Sequence, residues 1–272
     1  MFKIGNKIIS PKNKPYIIAE ACINHEGNMK LAKKMIATAA KTGASAIKFQ
    51  MHVLDDEMLK KTPKSSNFSE SLYDTLNRTN FNTKQHIYLK KICKMHNIDY
   101  LCTPFSRKSA DILFHEVKVK VFKVGSGELT NIPLQKFIAH KKLPTIISTG
   151  MSTLEEVKYT FDQIYKINKK IVLTQCTSIY PCPYEYSDIG VITQYREKFS
   201  VPIGLSDHTN SIYTSLGAVA LGACLIEKHF TLNKKSKGPD HASSIEPNEL
   251  KELVDGSNAI FLARSSKKKI HE

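Results

Sequence analysis

The stretch IGLSDHTNSIYTSLGAVALGACLIEKHF, residues 203–230, decides the fold. It opens on a short apolar run, 203–205, passes through a longer amphipathic segment, 212–221, and returns to a second apolar run, 224–226. Each run ends in polar residues: Ser206, Asp207 and His208 after the first, Glu227, Lys228 and His229 after the second. Near-continuous apolar runs of this length suit strands buried on both faces of a parallel sheet.

The same alternation fills the rest of the chain. Further apolar runs stand at 16–19, 46–49, 100–102, 119–124, 145–147 and 171–174, making eight in all. Helix-like segments follow them at 31–41, 84–96, 108–115, 133–140, 154–167, 189–198, 212–221 and 247–263. Thr153 with Glu156 reads as a capping box, and Pro133 and Pro247 sit where a first helical turn tolerates proline. Eight β-then-α units predict an α/β fold, a single-domain (β/α)8 TIM barrel, and the 272 residues suit its usual size of roughly 250. An open dinucleotide-binding sheet would want GxGxxG after its first strand, where this chain has ACINHEG. The expected division is an N-terminal extension, 1–15, the barrel, 16–264, and a basic tail or linker, 265–272. Segment 52–81, polar and carrying Pro63, Ser65 and Ser66, follows the second strand and is expected to lie over the active face as a lid or substrate loop.

Composition narrows the function classes. With 41% hydrophobic and 24% charged residues the chain is globular. No apolar run approaches the roughly 20 residues that span a bilayer, and the N-terminus lacks a signal peptide's apolar core. A cytoplasmic protein is expected, with no membrane partner. Six cysteines without a CxxC pair fit a reducing compartment. The net charge of +15 invites a nucleic-acid reading, but the lysines are scattered and no nucleic-acid-binding signature accompanies them. Part of the excess can steer anionic substrates. Lys267–Lys269 reads as a solvated tail.

In a barrel, catalytic groups come from the C-terminal ends of the strands. Those positions hold Glu20; Lys48 with Gln50; Thr103; Lys123, Ser126 and Glu128; Ser148; Cys176, Thr177 and Tyr180; then the two triplets quoted above. So many polar groups at one mouth are costly to desolvate unless they pair with each other or with a ligand. Lys48 and Lys123 can meet a phosphate or carboxylate. Thr103, Ser126, Ser148 and Ser206 offer hydroxyls, and Gly125 and Gly127 let backbone amides approach an anion. The set suits a small, highly charged ligand such as phosphoenolpyruvate. His208 and His229 end consecutive strands, a placement that suits a first-row divalent ion with positions left open for substrate. His25 and His241 are loop candidates for substrate contact, while His52, His86, His96, His115, His140 and His271 read as surface residues. Glu20, Glu128 and Asp240 are the carboxylates for acid–base or orienting work, and Glu227 is a candidate partner that fixes an imidazole tautomer.

The stretches YIIAEACINHEGN, AIKFQ, CTPFS, FKVGSGE, ISTGM, CTSIYPCPYE, IGLSDHT, ALGACLIEKHFTL and GPDHASSIEP resemble the sialic acid synthase family, in order and over about residues 15–262. The resemblance implies an enzyme that condenses phosphoenolpyruvate with N-acetylmannosamine or a related amino sugar. It implies a metal on His208 and His229, usually Mn2+, with Mg2+ or Co2+ as substitutes. Lys48, Thr103, Lys123, Ser126, Ser148 and Ser206 would hold phosphoenolpyruvate, and Gln50, Tyr180 and Asp240 would contact the sugar. Glu20 would sit near the metal and its water, and Glu128 would position or activate water at the reacting carbon. Family members commonly continue into a small antifreeze-like domain that reaches across a homodimer and supplies an arginine to the sugar; this sequence stops at Glu272, as a truncated or a shorter form would. GPDH with SIEP resembles the sialic or legionaminic branch more than the pseudaminic one. The competing readings are a related sugar-acid synthase (legionaminic, pseudaminic, octulosonate or heptulosonate type), a non-catalytic anion-binding barrel, and a nucleic-acid binder.

Overall fold

The computed structural model describes residues 2–61 and 70–264. A short hairpin comes first, strands β1 (Phe2–Ile4) and β2 (Lys7–Ile9). Then eight strands alternate with helices: β3 (Tyr16–Glu20), α1 (Met29–Lys41), β4 (Ala46–Met51), α2 (Leu72–Thr79), α3 (Thr83–Met95), β5 (Asp99–Pro104), α4 (Arg107–Ile112), β6 (Phe122–Val124), α5 (Ile132–His140), β7 (Thr145–Ser148), α6 (Leu154–Tyr165), β8 (Ile171–Cys176), α7 (Val191–Lys198), β9 (Ile203–Asp207), α8 (Tyr213–Ala220), β10 (Leu225–His229) and α9 (Pro247–Ala263). The eight run parallel in the order β5-β4-β3-β10-β9-β8-β7-β6, and β5 and β6 lie side by side across the remaining seam. This is the expected α/β barrel. All eight apolar runs form its strands, and the Thr153–Glu156 capping box and both helix-start prolines are in place.

Two regions depart from the expectation. Residues 2–9 are a plug: Phe2, Ile4 and Ile9 pack against Tyr16, Ile18, Leu101, Val121, Ile146, Val172 and Leu225, the inward apolar floor of the barrel. Gly5, at φ +56°, supplies the left-handed turn that a two-residue hairpin needs. Burying each large apolar side chain here contributes roughly 2 kcal/mol. The segment after β4 is not wholly irregular either. Its described flanks hold a 3-10 turn, Leu54–Asp56, and helix α2, capped by Ser71. Leu54 and Leu76 pack on Cys22 and Ile23, so this segment leans on the loop after β3 at the C-terminal mouth. Pro63, Ser65 and Ser66, and likewise Lys267–Lys269 and His271, lie outside the described residues. The run expected from 119 yields a strand only from Phe122, because Lys118 is left-handed and the Val119 amide donates to Leu113, closing the preceding turn.

Period-two alternation sorts each barrel strand. Outward residues such as Ile17, Ile47, Cys102, Phe122, Ile147, Leu173, Leu205 and Ile226 join the core beneath the helices. All six cysteines are free and buried. Asp207 and Lys228 also face outward, 3.0 Å apart; Asp207 accepts from Thr214 and Ser215 of α8, and the pair anchors that helix to the sheet.

The surface reading holds for His96, His115 and His140, which are exposed, and fails for His52 and His86. His86 is fully buried, hydrogen-bonded to the Tyr100 hydroxyl at 2.7 Å and edge-on to Phe81. His25 stacks on the same Phe81, 4.1 Å between centroids. Burial, with the neighbouring His86, lowers His25 to about 3, and burial, with His52, lowers His86 to about 4. Both folded values lie below the ordinary value of about 6.5. Their stabilisation is therefore complete above that value and is lost as pH falls through it toward 4 and 3. Urea unfolding should show a loss of about 1 kcal/mol per histidine between about pH 7.5 and about pH 5.5. His86→Gln should remove its share of that slope, and an unchanged slope would contradict the assignment.

Candidate active site

Above the apolar floor the inward positions turn polar. Glu20, Lys48, Thr103, Lys123, Ser148, Thr174, Ser206 and Glu227 come one from each barrel strand, and all are buried. They form one connected network. Lys48 Nζ lies 2.8 Å from Glu20 Oε2 and 3.6 Å from Glu227 Oε1, and donates to Thr103 at 3.0 Å. Lys123 Nζ lies 3.5 Å from Glu227 Oε1 and donates to Ser148 at 2.6 Å; Ser148 in turn meets Thr174 at 2.9 Å. Ser206 donates to Glu227 at 3.1 Å.

Burial and pairing oppose each other in this network. Burial pushes Glu20 up to about 7, with Lys48 pulling it down and Glu227 adding to the rise. Glu227 stays low because Lys123, Lys48 and Ser206 outweigh its burial. Burial lowers the Lys48 ammonium, and Glu20 and Glu227 more than reverse that, whereas Lys123, with less compensation, ends below its ordinary value. The result is two cations beside one committed anion and one carboxylate that titrates near neutrality. A phosphate or carboxylate entering from the mouth finds both ammonium groups.

One turn further out stand the two histidines, with ring centroids 5.4 Å apart. His208 Nδ1 is 2.7 Å from the Thr177 carbonyl, so it carries the proton and leaves Nε2 free as a ligand. His229 Nδ1 is buried without a hydrogen-bond partner. An orphaned imidazole nitrogen beside a tautomer-fixed one fits a divalent metal. The partner that fixes the tautomer is the Thr177 carbonyl and not Glu227, whose Oε1 is engaged by the lysines and Ser206. Cys176 Sγ lies 3.9 Å from His208 Nδ1. Tyr180 covers the pair, 4.0 Å from His208 and edge-on to His229 at 5.7 Å.

The rim holds the remaining candidates. Gln50 is oriented by His52 at 3.2 Å, which is held by Glu57 at 2.7 Å and stacks on Phe105. Ser126 accepts from the Gly150 amide at 3.0 Å. A Cβ on Gly150 would sit 2.4 Å from Ser178 Oγ and 2.8 Å from Ser126 Oγ, so only glycine lets these loops meet. Glu128 stands apart from the network, its carboxylate accepting from Asn131. Asp240 lies in the loop after β10, close to Cys22 and His229. His25 and His241, the loop candidates for substrate contact, are both buried: His25 Nδ1 accepts from the Gly27 amide, and His241 bonds Thr231 at 2.7 Å. Thr174, the His52–Glu57 pair and Cys22 were missed from sequence. Thr174 ends an apolar run whose strand continues two residues further, and nothing local marks the other three. A separate cleft of about 550 Å³ lies between the hairpin and α9 at the opposite end of the barrel.

Residues 35–269 match the NeuB family. The chain is 42% identical over 249 residues to N,N'-diacetyllegionaminic acid synthase of Campylobacter jejuni, covering 88% of this chain and 74% of that protein. It is 38% identical over 251 residues to the enzyme of the same name from Legionella pneumophila, covering 88% and 70%. The crystal structure of N-acetylneuraminic acid (sialic acid) synthetase from Leptospira borgpetersenii, in complex with citrate, superposes with a TM-score of 0.89 at 32% identity, covering all of this chain and 92% of that one.

Removing Lys48 strands Glu20 and leaves Glu227 only Lys123 and Ser206. Lys48→Met is expected to lower the unfolding free energy by about 3–5 kcal/mol at neutral pH. The loss should shrink at lower pH, where Glu20 is protonated. Chemical denaturation at two pH values measures it, and a stability equal to that of the parent at both would refute the pairing.

Proposed function

Because the chain belongs to the NeuB family, we propose that it condenses phosphoenolpyruvate with an amino-sugar aldehyde, N-acetylmannosamine or a close relative, to give a nonulosonic acid and inorganic phosphate. The observation that carries this reading is the vertical order of the site: two buried lysines, Lys48 and Lys123, at the barrel centre, beneath two facing imidazoles. The lysines suit a phosphorylated carboxylate, and the imidazoles suit an ion that activates a carbonyl.

Phosphoenolpyruvate would lie over Lys48 and Lys123, with Thr103, Ser126, Ser148 and Ser206 donating to its oxygens. Preorganised donors of this kind act where charge develops and need no reorganisation during reaction. A divalent ion held by His208 and His229, with Mn2+ as the expected metal, would polarise the sugar's aldehyde as a Lewis acid. The alkene carbon attacks that aldehyde carbon and the new C–C bond forms. Water adds to the resulting cationic carbon, and C–O cleavage releases phosphate. Glu20, held near neutrality by burial against Lys48, is suited to take or return a proton in this sequence. Glu128 would position the water from the rim. Gln50, fixed by His52 and Glu57, would contact the sugar together with Tyr180 and Asp240. A cytoplasmic setting and a homodimer belong to the same proposal; the six free cysteines support the former, and among the described residues no helix is long and apolar enough to cross a membrane.

A second reading keeps the chemistry and changes the sugar to a 2,4-diacetamido one, favoured by the two legionaminic acid synthases at 42% and 38% identity. Phosphate release should require phosphoenolpyruvate, a divalent metal and one sugar from a panel of N-acetylmannosamine, its 6-phosphate, the 2,4-diacetamido hexose and arabinose 5-phosphate. His208→Ala should reduce turnover by at least about a thousandfold. Turnover without metal, or with arabinose 5-phosphate alone, would overturn the proposal.

A further inference from the structure

We propose that Cys22 and Asp240 join His229 as direct ligands of the metal, giving a sulfur–nitrogen–oxygen donor set that favours a borderline cation of the cobalt-to-zinc class over manganese or magnesium. The inference rests on the metal reading of His229 above, adds two ligands to it, and departs from Mn2+, the ion that the family resemblance implies.

Among the described residues, Cys22, His229 and Asp240 place one donor atom each within 4.8 Å of one another. Donors around one four-coordinate ion stand about 3.5 Å apart, so side-chain adjustment of roughly an ångström closes the set. A second observation points the same way: His229 Nδ1 is buried with no partner. The three residues come from separate elements that one side chain clamps together. Asn24, two residues beyond Cys22, donates to the Phe230 carbonyl at 3.0 Å and to Ser244 Oγ at 2.9 Å. Ser244 Oγ in turn donates to the Asp240 carbonyl at 2.6 Å. The loop after β3, the end of β10 and the loop carrying Asp240 are thereby held in one register. Cys22 itself is buried with φ +43°, a left-handed conformation that glycine adopts without strain and cysteine does not. Strain retained at a site lined with ligand atoms is what a functional side chain maintains.

The chemistry of the set decides the metal class. Manganese and magnesium prefer carboxylate, carbonyl and water oxygens, whereas thiolate and imidazole favour cobalt and zinc. Binding replaces the thiol proton of Cys22 by the ion, so about one proton leaves per ion bound at neutral pH.

The test uses the full chain, freed of metal and reduced with a phosphine, and titrated with Co2+. We expect a thiolate-to-cobalt charge-transfer band in the near ultraviolet, release of about one proton per ion, and displacement by Zn2+. Cys22→Gly relieves the left-handed strain and should fold at least as well, yet lose the band and bind Co2+ at least about tenfold more weakly. Asp240→Asn should keep the band with weakened affinity. Cys176→Ser, which removes the thiol near His208, should keep both. A band absent from the parent protein, retained in Cys22→Gly or lost in Cys176→Ser overturns the inference. If Co2+ binds without the band and His208→Ala or His229→Ala abolishes binding, the two-imidazole reading stands and the thiolate falls. Undiminished Co2+ binding in both histidine variants, or no binding to the parent protein, defeats the two-imidazole reading as well.

Discussion

Two glutamates and two lysines buried at the centre of the barrel are the constraint to which the rest of the structure answers. Each of these ions taken singly out of water would cost several kcal/mol, which mutual pairing offsets in part, since Glu20 Oε1 and Glu227 Oε2 are buried without a hydrogen bond. The pairs here are inter-strand: Glu20 and Lys48 are register partners on β3 and β4, and Glu227 on β10 reaches both lysines. A slip of one residue in any of these strands would turn its ion toward the helices and strand the others. An apolar barrel layer tolerates sliding far better. The network therefore specifies strand register as well as function, and the outward pair Asp207–Lys228 fixes β9 against β10 in the same way from the other face.

What lies above and below follows from keeping that layer dry on one side and open on the other. The hairpin closes the bottom with Phe2, Ile4 and Ile9, which cap the apolar floor beneath the ions and leave them facing the C-terminal mouth. The mouth is lined by imidazoles, hydroxyls and Tyr180 instead of apolar residues. The two ammonium groups of Lys48 and Lys123 leave the layer able to meet a multiply charged anion with paired charge in a low dielectric.

The barrel itself was legible because its signal repeats. Eight apolar runs of three to six residues, each followed by a helical period, leave little choice of architecture, and strand ends in such a fold mark the active face. The site was legible to the same depth. Lys48 and Lys123 break the apolar runs 46–49 and 119–124 near their ends, His208 and His229 stand just beyond theirs, and the structure brings the four to one mouth. Three kinds of feature were not legible. Period two decides which strand-end residues face inward, and it separates Ser206 and His208 from Asp207 only once the last strand residues are placed. Burial of His52 and His86 depends on Phe105, Phe81 and Tyr100, which arrive from distant segments. The hairpin plug carries too few residues to show a period, and its apolar side makes sense only against a floor that the fold creates.

Cys22 belongs to that last kind. In sequence it is one cysteine among six, in a loop, and nothing there brings it to His229 or Asp240, more than two hundred residues away. Its meaning comes from Asn24, which ties its loop to residues more than two hundred positions away at Phe230 and Ser244. A buried asparagine amide that donates twice across such a separation is a positional device: losing either acceptor would leave a buried donor unpaired, a penalty of about 1–3 kcal/mol. The same clamp that closes the first strand onto the last also sets the distance from the Cys22 thiol to His229 and Asp240. The contacts that close the barrel at this seam thus also place the donor atoms at the mouth, and the loops that carry Cys22 and Asp240 are tied to each other through Asn24 and Ser244.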